Sequence, residues 1–226
     1  MRNVPTVISR SEPLCPRPPT RLGYCSCYVY SPRGLGAASR RSRLLRTRLK
    51  TGDANWYPRY AARVHQQVRE QGMFPGLFER DVILVPVPCC RPSAGNAAWS
   101  ARRLAVALQR TGLAAAVWTG LLRRHAVQKS ATAPDGERPS VWEHYESLTV
   151  EGTMVVANRL LLVDDVVTKG RTFLGAAMRL REAFPDAEVR AFALMRTMGL
   201  VPEITQLLEP CQGEIRWAGE DAHREP

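Results

Sequence analysis

The segment from Leu160 to Thr172, LLLVDDVVTKGRT, limits the fold of this chain more than any other part of the sequence. A continuous apolar run is typical of a parallel strand that is buried on both faces of its sheet. Two acidic residues end the run, a short loop with Gly170 follows, and apolar residues at helical spacing begin at Phe173. Strand, loop and helix in this order predict an α/β fold with a mostly parallel sheet.

Further segments repeat the alternation of strand and helix between residues 80 and 195. Apolar and β-branched runs predict strands at residues 81–88, 114–119, 154–157, 159–164 and 188–195. Apolar residues three or four positions apart predict helices at residues 56–71, 97–111 and 173–184. We therefore expect a parallel sheet of about five strands with helices on both faces, which makes three layers.

The positive charge of the chain is concentrated near its N-terminus. The formal net charge is +11, and residues 1–50 contain ten arginines, one lysine and a single acid. Residues 1–43 are rich in Pro and Arg and lack apolar periodicity, so we expect a poorly ordered basic arm there. Residues 44–226 would form the domain, with its core at about residues 80–197. The arginines of the arm would give weak, salt-sensitive binding of nucleic acid.

Nothing in the sequence suggests a membrane protein or an exported one. No apolar run approaches the roughly 18 residues that cross a bilayer, and the N-terminus lacks the apolar stretch of a secretory signal. We therefore expect a cytoplasmic protein without membrane contact, in which the cysteines stay reduced. The spacing of Cys15, Cys25 and Cys27 does not match a zinc ribbon, although a metal site with a fourth ligand from elsewhere stays open.

The loop after the acidic pair has the composition of a phosphate site. Backbone amides at the start of a helix bind anions, and the hydroxyls of Thr168 and Thr172 add hydrogen-bond donors. Gly170 lets the backbone approach a phosphate closely. The carboxylates of Asp164 and Asp165 suit sugar hydroxyls or a Mg²⁺ ion. Because ligands of α/β sheets bind at the carboxyl ends of strands, these residues predict a site for a phosphorylated sugar.

Two other classes of protein also place acids after an apolar strand. A P-loop NTPase needs the pattern GxxxxGK[ST], and the dipeptide Gly-Lys does not occur in this chain. A phosphoacceptor receiver domain places its acids near its start, and too few residues follow Asp165 to complete one. Neither class fits the sequence.

The stretch VDDVVTKGRT resembles the phosphoribosyl pyrophosphate (PRPP) signature of type I phosphoribosyltransferases, with Lys169 in place of the usual second threonine. The resemblance implies a three-layer, Rossmann-like sheet with a small hood. It implies transfer of ribose 5-phosphate from PRPP to a nitrogen acceptor, with Mg²⁺ as cofactor and release of pyrophosphate. Asp164 and Asp165 would act in catalysis by holding the ribose hydroxyls or the metal. The 5-phosphate would contact Val167, Thr168, Lys169, Gly170, Arg171 and Thr172.

Two further stretches resemble the competence-protein ComF group, although the cysteine knuckles of that group are missing. They are LLRTRLKTGD and DVILVPVPCCRPSAGNAAWSARRLAVAL. The resemblance of the second stretch implies that the loop with Cys89, Cys90 and Arg91 binds pyrophosphate. Residues 123–150 form a long polar segment, and the resemblance implies that residues 125–150 are the loop that family enzymes close over the reaction. Lys129 and Arg138 are its candidate catalytic residues, and His125 and His144 could also reach pyrophosphate there.

The resemblance leaves a second class of function open. The chain could keep PRPP recognition without transfer, as a regulatory protein or as a ComF-like protein of DNA uptake. Release of pyrophosphate from PRPP in the presence of acceptor bases would distinguish the two. The sequence does not identify the acceptor, and a homodimer is compatible with it.

Overall fold

The computed structural model of the protein describes residues 19, 21–51, 54–90, 99–127, 138–152, 158–199, 201, 203–219 and 221–226. The helices are α1 (Ala37–Thr51), α2 (Trp56–Arg69), α3 (Ser100–Arg110), α4 (Val141–Glu146) and α5 (Arg171–Ala183). The strands are β1 (Arg21–Tyr30), β2 (Ile83–Pro86), β3 (Ala116–Val117), β4 (Leu121–Arg123), β5 (Leu148–Val150), β6 (Arg159–Val167), β7 (Glu188–Thr197), β8 (Leu208–Ala218) and β9 (Asp221–Glu225).

Seven strands form one mostly parallel sheet in the order β3-β2-β6-β7-β1-β8-β9. The strands from β3 to β1 pair in parallel, whereas β8 and β9 continue the sheet as antiparallel strands. Strands β4 and β5 form a separate antiparallel pair. The predicted α/β class and parallel centre are confirmed. The sheet is larger than expected, because β1 and the β8–β9 hairpin were not predicted.

Helices cover both faces of the sheet and bury a separate core on each. Leu161 and Val163 of β6 belong to the core under α1, α2 and α3. Leu160 and Leu162 belong to the core under α4 and α5. Alternate residues of a strand point to opposite faces, so a strand covered on both sides must be apolar at every position. This explains the continuous apolar run that predicted β6.

The most central predicted elements are confirmed, with small differences at their ends. The helices expected at 56–71, 97–111 and 173–184 correspond to α2, α3 and α5. The strands expected at 81–88, 114–119, 159–164 and 188–195 correspond to β2, β3, β6 and β7. The strand expected at 154–157 lies outside the described residues.

The structure corrects the predicted basic arm over residues 21–43. Strand β1 lies between β7 and β8, and its residues Leu22, Tyr24 and Val29 are at most 1% exposed. Helix α1 begins at Ala37, so the expected boundary between residues 43 and 44 falls inside a helix. Strand β1 contains three Tyr, two Cys and one Ser, so it has no continuous run of aliphatic residues that would predict a buried strand. Residues 1–18 lie outside the described part of the chain.

The described cysteines near the N-terminus are buried thiols. Cys25 and Cys27 are at most 2% exposed and form no disulfide, and Cys15 lies outside the described residues. Burial is the main cause that raises the pKa of Cys25 to about 12, so this thiol keeps its proton at neutral pH. Within the described ranges, no group of three or more His, Cys, Asp or Glu side chains could hold a metal ion.

In the described part of the chain, no helix combines the length and the apolar character that a membrane crossing requires.

Candidate functional site

One pocket brings together most of the residues that the sequence assigned to phosphate binding. It lies at the carboxyl end of β6 and the first turn of α5. Arg138 lines the same pocket from the segment before α4. The lining residues are Arg138, Asp164, Val166, Val167, Thr168, Lys169, Gly170, Arg171, Thr172 and Phe173. Amides of a loop that opens into a helix, together with threonine hydroxyls, can bind an anion here.

Gly170 makes the sharp turn from strand to helix possible. It is the residue before α5 and has a φ of 94°, a left-handed conformation that favours glycine. A Cβ atom added to it would lie 2.6 Å from a side-chain carbon of Ile215 in β8. The sequence suggested that Gly170 is small so that a phosphate can approach. The structure shows that its conformation and the packing of Ile215 also require glycine.

The two adjacent acids point to different surroundings. Asp164 lines the pocket, whereas Asp165 is 2% exposed and contacts helices α1 and α3. Its Oδ2 lies 2.5 Å from Lys50 Nζ and accepts a hydrogen bond from Ser100 Oγ at 2.6 Å. Burial opposes the charged form, but the Lys50 ammonium and the hydrogen bonds to the carboxylate together outweigh burial and lower the pKa of Asp165. The Asp165 carboxylate is therefore engaged by the protein itself.

Asp164 has a much higher affinity for a proton than an ordinary aspartate. Burial and, next, the neighbouring Asp165 carboxylate raise the pKa of Asp164 to about 8. Its Oδ1 accepts a hydrogen bond from the backbone N–H of Asp165 at 2.8 Å. Burial and the Asp165 charge both favour the protonated form of Asp164 over its carboxylate, and a cation bound beside it would favour the carboxylate instead.

The cations of the loop are paired with the last strand. Asp221, the first residue of β9, accepts hydrogen bonds from Lys169 Nζ at 2.8 Å and from Arg171 Nε at 2.5 Å. Arg224 Nε donates to the Thr168 carbonyl at 2.7 Å. Sequence reasoning missed Asp221 and Arg224, because a polar segment near the end of the chain carries no motif that links it to the loop.

His144 lies behind the loop and does not line the pocket. It is 4% exposed, and its Nε2 lies 3.3 Å from the Thr172 hydroxyl oxygen. Gly175 of α5 leaves space for His144 because it has no side chain: a Cβ atom added to Gly175 would lie 2.8 Å from the His144 Cβ. Burial and then the Arg123 charge lower the pKa of His144 to about 4, so its ring is neutral. The structure thus places His144 against Thr172 in the protein interior and not in the pocket, where the sequence analysis expected it to reach pyrophosphate.

The residues expected to hold pyrophosphate lie at the neighbouring strand end. Cys89 and Cys90 follow β2, and β2 pairs with β6 up to Pro86 and Val163. The buried Arg123 holds this turn, because its Nε donates to the Cys89 carbonyl at 3.0 Å. The other two predicted residues of this region, Arg91 and Lys129, lie outside the described residues.

The site can therefore bind an anion at the loop and a hydroxyl or cation at Asp164. Mg²⁺ in proteins is commonly held by one or two carboxylates together with ligand phosphates and water, which Asp164 alone could satisfy with a polyphosphate. Asp165, the second predicted metal ligand, has its carboxylate occupied by Lys50 and Ser100.

Comparison of the sequence with models of known protein families finds no match, and no curated protein is significantly similar to the chain.

Proposed function

We propose that this protein binds PRPP together with Mg²⁺ and transfers its ribose 5-phosphate unit to a nitrogen acceptor, with release of pyrophosphate. The fold would then be that of a type I phosphoribosyltransferase. One observation carries the proposal: Asp164 and the loop from Thr168 to Thr172 line a single pocket where a parallel strand ends and a helix begins. This combination of amides, hydroxyls and a carboxyl group suits a phosphorylated sugar.

Each part of the ligand has a matching group in this proposal. The 5-phosphate contacts the loop amides and the Thr168 and Thr172 hydroxyls, and Asp164 holds the ribose hydroxyls. Pyrophosphate extends toward the turn after β2, and Arg138 contributes a positive charge at the pocket. Bound Mg²⁺ would supply charge stabilisation for the departing pyrophosphate. Holding the reactants in this arrangement is the main contribution that the protein can make to such a reaction.

Titration calorimetry with PRPP tests the binding half of the proposal. We expect Mg²⁺ to strengthen binding, and Asp164→Asn to weaken it by about 10-fold or more, because a hydrogen bond to a charged group contributes about 1.5–3 kcal/mol. Asp81→Asn is the matched control, since Asp81 pairs with Arg159 at the opposite end of β6. Equal affinities of wild type, Asp164→Asn and Asp81→Asn would reject the site.

A panel of nitrogen bases supplied with PRPP and Mg²⁺ tests the transfer half. Release of pyrophosphate with one acceptor identifies the activity and its acceptor. Binding of PRPP without release for any base would instead favour the alternative, a regulatory or DNA-uptake protein that keeps PRPP recognition only.

A second candidate function, binding of nucleic acid, is favoured by the charge of one helical layer. Helices α1, α2 and α3 contain no acidic residue. The Arg48 guanidinium stacks on Trp56 with its Cζ 3.8 Å from the ring centre, and Arg59 lies 4.9 Å from it. The basic residues of this layer are Arg40, Arg41, Arg43, Arg46, Arg48, Lys50, Arg59, Arg63, Arg69, Arg102, Arg103 and Arg110. We therefore propose that nucleic acid would contact these three helices, whereas the sequence analysis expected the contact in an arm over residues 1–43.

Anisotropy of a labelled single-stranded oligonucleotide at two salt concentrations tests this candidate. Binding should weaken steeply with salt, and Arg40→Glu with Arg41→Glu should weaken it further. Arg181→Glu on α5, in the opposite layer, is the control for a general loss of positive charge. Equal effects of the α1 and α5 changes would reject the basic layer as the binding surface.

A further inference from the structure

The β8–β9 hairpin contacts the phosphate loop at four consecutive residues. Arg224 donates to the Thr168 carbonyl, and Asp221 accepts from Lys169 and Arg171. Ile215 packs against Gly170, the remaining residue of the four. The hairpin therefore fixes both the backbone and the charges of the loop.

The two cations that Asp221 holds differ in their freedom to move. Arg171 is 21% exposed at its side chain, and its Nη1 also donates to the Arg138 and Pro139 carbonyls. Lys169 is 56% exposed at its side chain, and it lines the pocket. Rotation of an exposed lysine side chain costs little, so the Lys169 ammonium can leave Asp221 for an anion in the pocket. Arg171 is anchored by three acceptors and stays in place.

Asp221 is a fixed negative charge beside a site that is built for a negative ligand. The hydrogen bond from Arg171, followed by that from Lys169, keeps the pKa of Asp221 well below its usual range. Its Oδ1 also accepts a hydrogen bond from the backbone N–H of Ala222 at 2.7 Å. An arriving phosphate therefore meets repulsion from Asp221 and competition for Lys169.

We propose that Asp221 sets the affinity of the loop for phosphate, because its carboxylate competes with the ligand for the Lys169 ammonium. This competition rests on one part of the proposed function, which is that the loop binds a phosphate group. A simple phosphate ion binds weakly, since it gains Lys169 only by taking it from Asp221. A ligand with additional contacts at Asp164 meets the same competition and offsets it with those contacts, so Asp221 lowers the affinity for every phosphate ligand and leaves only ligands with further contacts tightly bound.

Calorimetric titration with inorganic phosphate and with ribose 5-phosphate at low salt tests the inference. Asp221→Asn removes the charge and keeps the side-chain size, and we expect it to bind inorganic phosphate roughly 5-fold more tightly, in line with one partly exposed ion pair. Glu225→Gln is the matched control, because Glu225 is on the same strand and pairs with Arg216, away from the loop. It should leave both affinities unchanged.

Lys169 provides the second arm of the experiment. In a Lys169→Met background, Asp221→Asn should increase the affinity for inorganic phosphate by less than half as much, because the ammonium for which Asp221 and phosphate compete is absent. Circular dichroism verifies that Asp221→Asn is folded, and Asp221→Ala replaces it if it is not.

The outcomes separate the inference from the function on which it rests. If wild type binds ribose 5-phosphate and neither Asp221 variant binds phosphate more tightly, Asp221 does not compete with the ligand. The inference is then rejected, whereas the proposed phosphate site is retained. If neither wild type nor any variant binds a phosphate compound, the proposed function is overturned together with the inference.

Discussion

Lys50 of α1 and Asp165 of β6 form an ion pair with 2.5 Å between Nζ and Oδ2, one residue away from the acid that lines the pocket. The pair fastens the first helix to the strand that carries the candidate site. It also explains why Asp165 is not available to a ligand, although it belongs to the recognised acidic pair. The stretch LLRTRLKTGD, which resembles a ComF segment, was the sequence signal that could have pointed to Lys50.

Loss of Lys50 should destabilise the protein. Lys50→Met leaves the Asp165 carboxylate buried without its cation, and an unpaired buried charge costs several kcal/mol. Because the Lys50 side chain is 49% exposed, water offsets part of this cost. We expect the free energy of unfolding in urea at pH 7 to fall by about 1–3 kcal/mol. Adding Asp165→Asn should recover most of the loss, and a loss that stays the same in the double variant would contradict the ion pair.

Asp164 should make the ligand-free protein less stable as the pH rises. Its folded pKa is raised to about 8, whereas an unfolded aspartate has a pKa of about 3.9. The stabilisation by the bound proton is therefore complete below pH about 4 and is lost up to pH about 8. In urea unfolding, Asp164→Asn should be more stable than wild type at pH 8 by at least about 1 kcal/mol, with a smaller difference at pH 5. An equal difference at both pH values would show that Asp164 is ionised throughout.

His144 should remain neutral in mild acid. Its folded pKa is lowered to about 4, below the unfolded value of about 6.5, so the stability it contributes is present above pH about 6.5 and is lost as the pH falls toward 4. The charged groups that face it are Arg123, Glu143 and Arg171. Among the residues that the structure describes, its Nδ1 has no hydrogen-bond partner.

The tautomer of His144 is the measurable consequence. A buried acceptor without a partner is tolerated better than a buried N–H without one, so the proton should be on Nε2, where it donates to Thr172. The Thr172 hydroxyl then remains free to donate to a phosphate. ¹⁵N NMR of the ring should show this neutral tautomer at pH 5.5. A protonated ring at that pH, or a proton on Nδ1, would remove His144 as the residue that orients Thr172.

The parallel centre of the fold was predictable because a strand that is buried on both faces has a continuous run of apolar residues. Strands β2, β6 and β7 contain continuous apolar runs, ILVP, LLLV and AFALM, and the helices between them show apolar residues three or four apart. Strand β1 was missed for the opposite reason. Its sequence RLGYCSCYVY mixes polar and small residues, although its central residues are buried in the sheet.

The candidate site was predictable only where its residues follow one another in sequence. The loop at residues 167–172 could be found because strand, acids, glycine and hydroxyls coincide in one segment. Asp221, Ile215 and His144 reach that loop through tertiary contacts from distant segments. No spacing rule links these residues. The different surroundings of Asp164 and Asp165, and the ion pair between Lys169 and Asp221, were therefore found only in the structure.

Gly170 should tolerate no side chain, and the reason is structural as well as functional. Gly170→Ala places a Cβ in a left-handed conformation and against Ile215, and we expect a loss of about 2–3 kcal/mol in unfolding free energy. In an Ile215→Ala background the same change should cost about 1 kcal/mol less, because the clash is relieved. Gly199→Ala is the control, because a Cβ at Gly199 would meet no atom of the described residues within 4 Å. Additive losses at residues 170 and 215 would contradict the packing argument.

The position of β1 predicts different outcomes for two N-terminal truncations. A chain that starts at Leu44 lacks β1, and so removes backbone hydrogen bonds from both β7 and β8 together with the buried Tyr24 and Val29. Exposed strand edges and lost core should make this protein unfold or aggregate. A chain that starts at residue 19 keeps β1 and the arginines of α1, so it should fold, bind PRPP and retain its affinity for nucleic acid. Circular dichroism and size-exclusion chromatography show whether each truncated chain is folded and monodisperse. Calorimetry with PRPP and anisotropy with a labelled oligonucleotide measure the binding of the chain that starts at residue 19. If the chain that starts at Leu44 is folded and binds PRPP as wild type does, β1 is dispensable and the first 43 residues are an accessory arm after all.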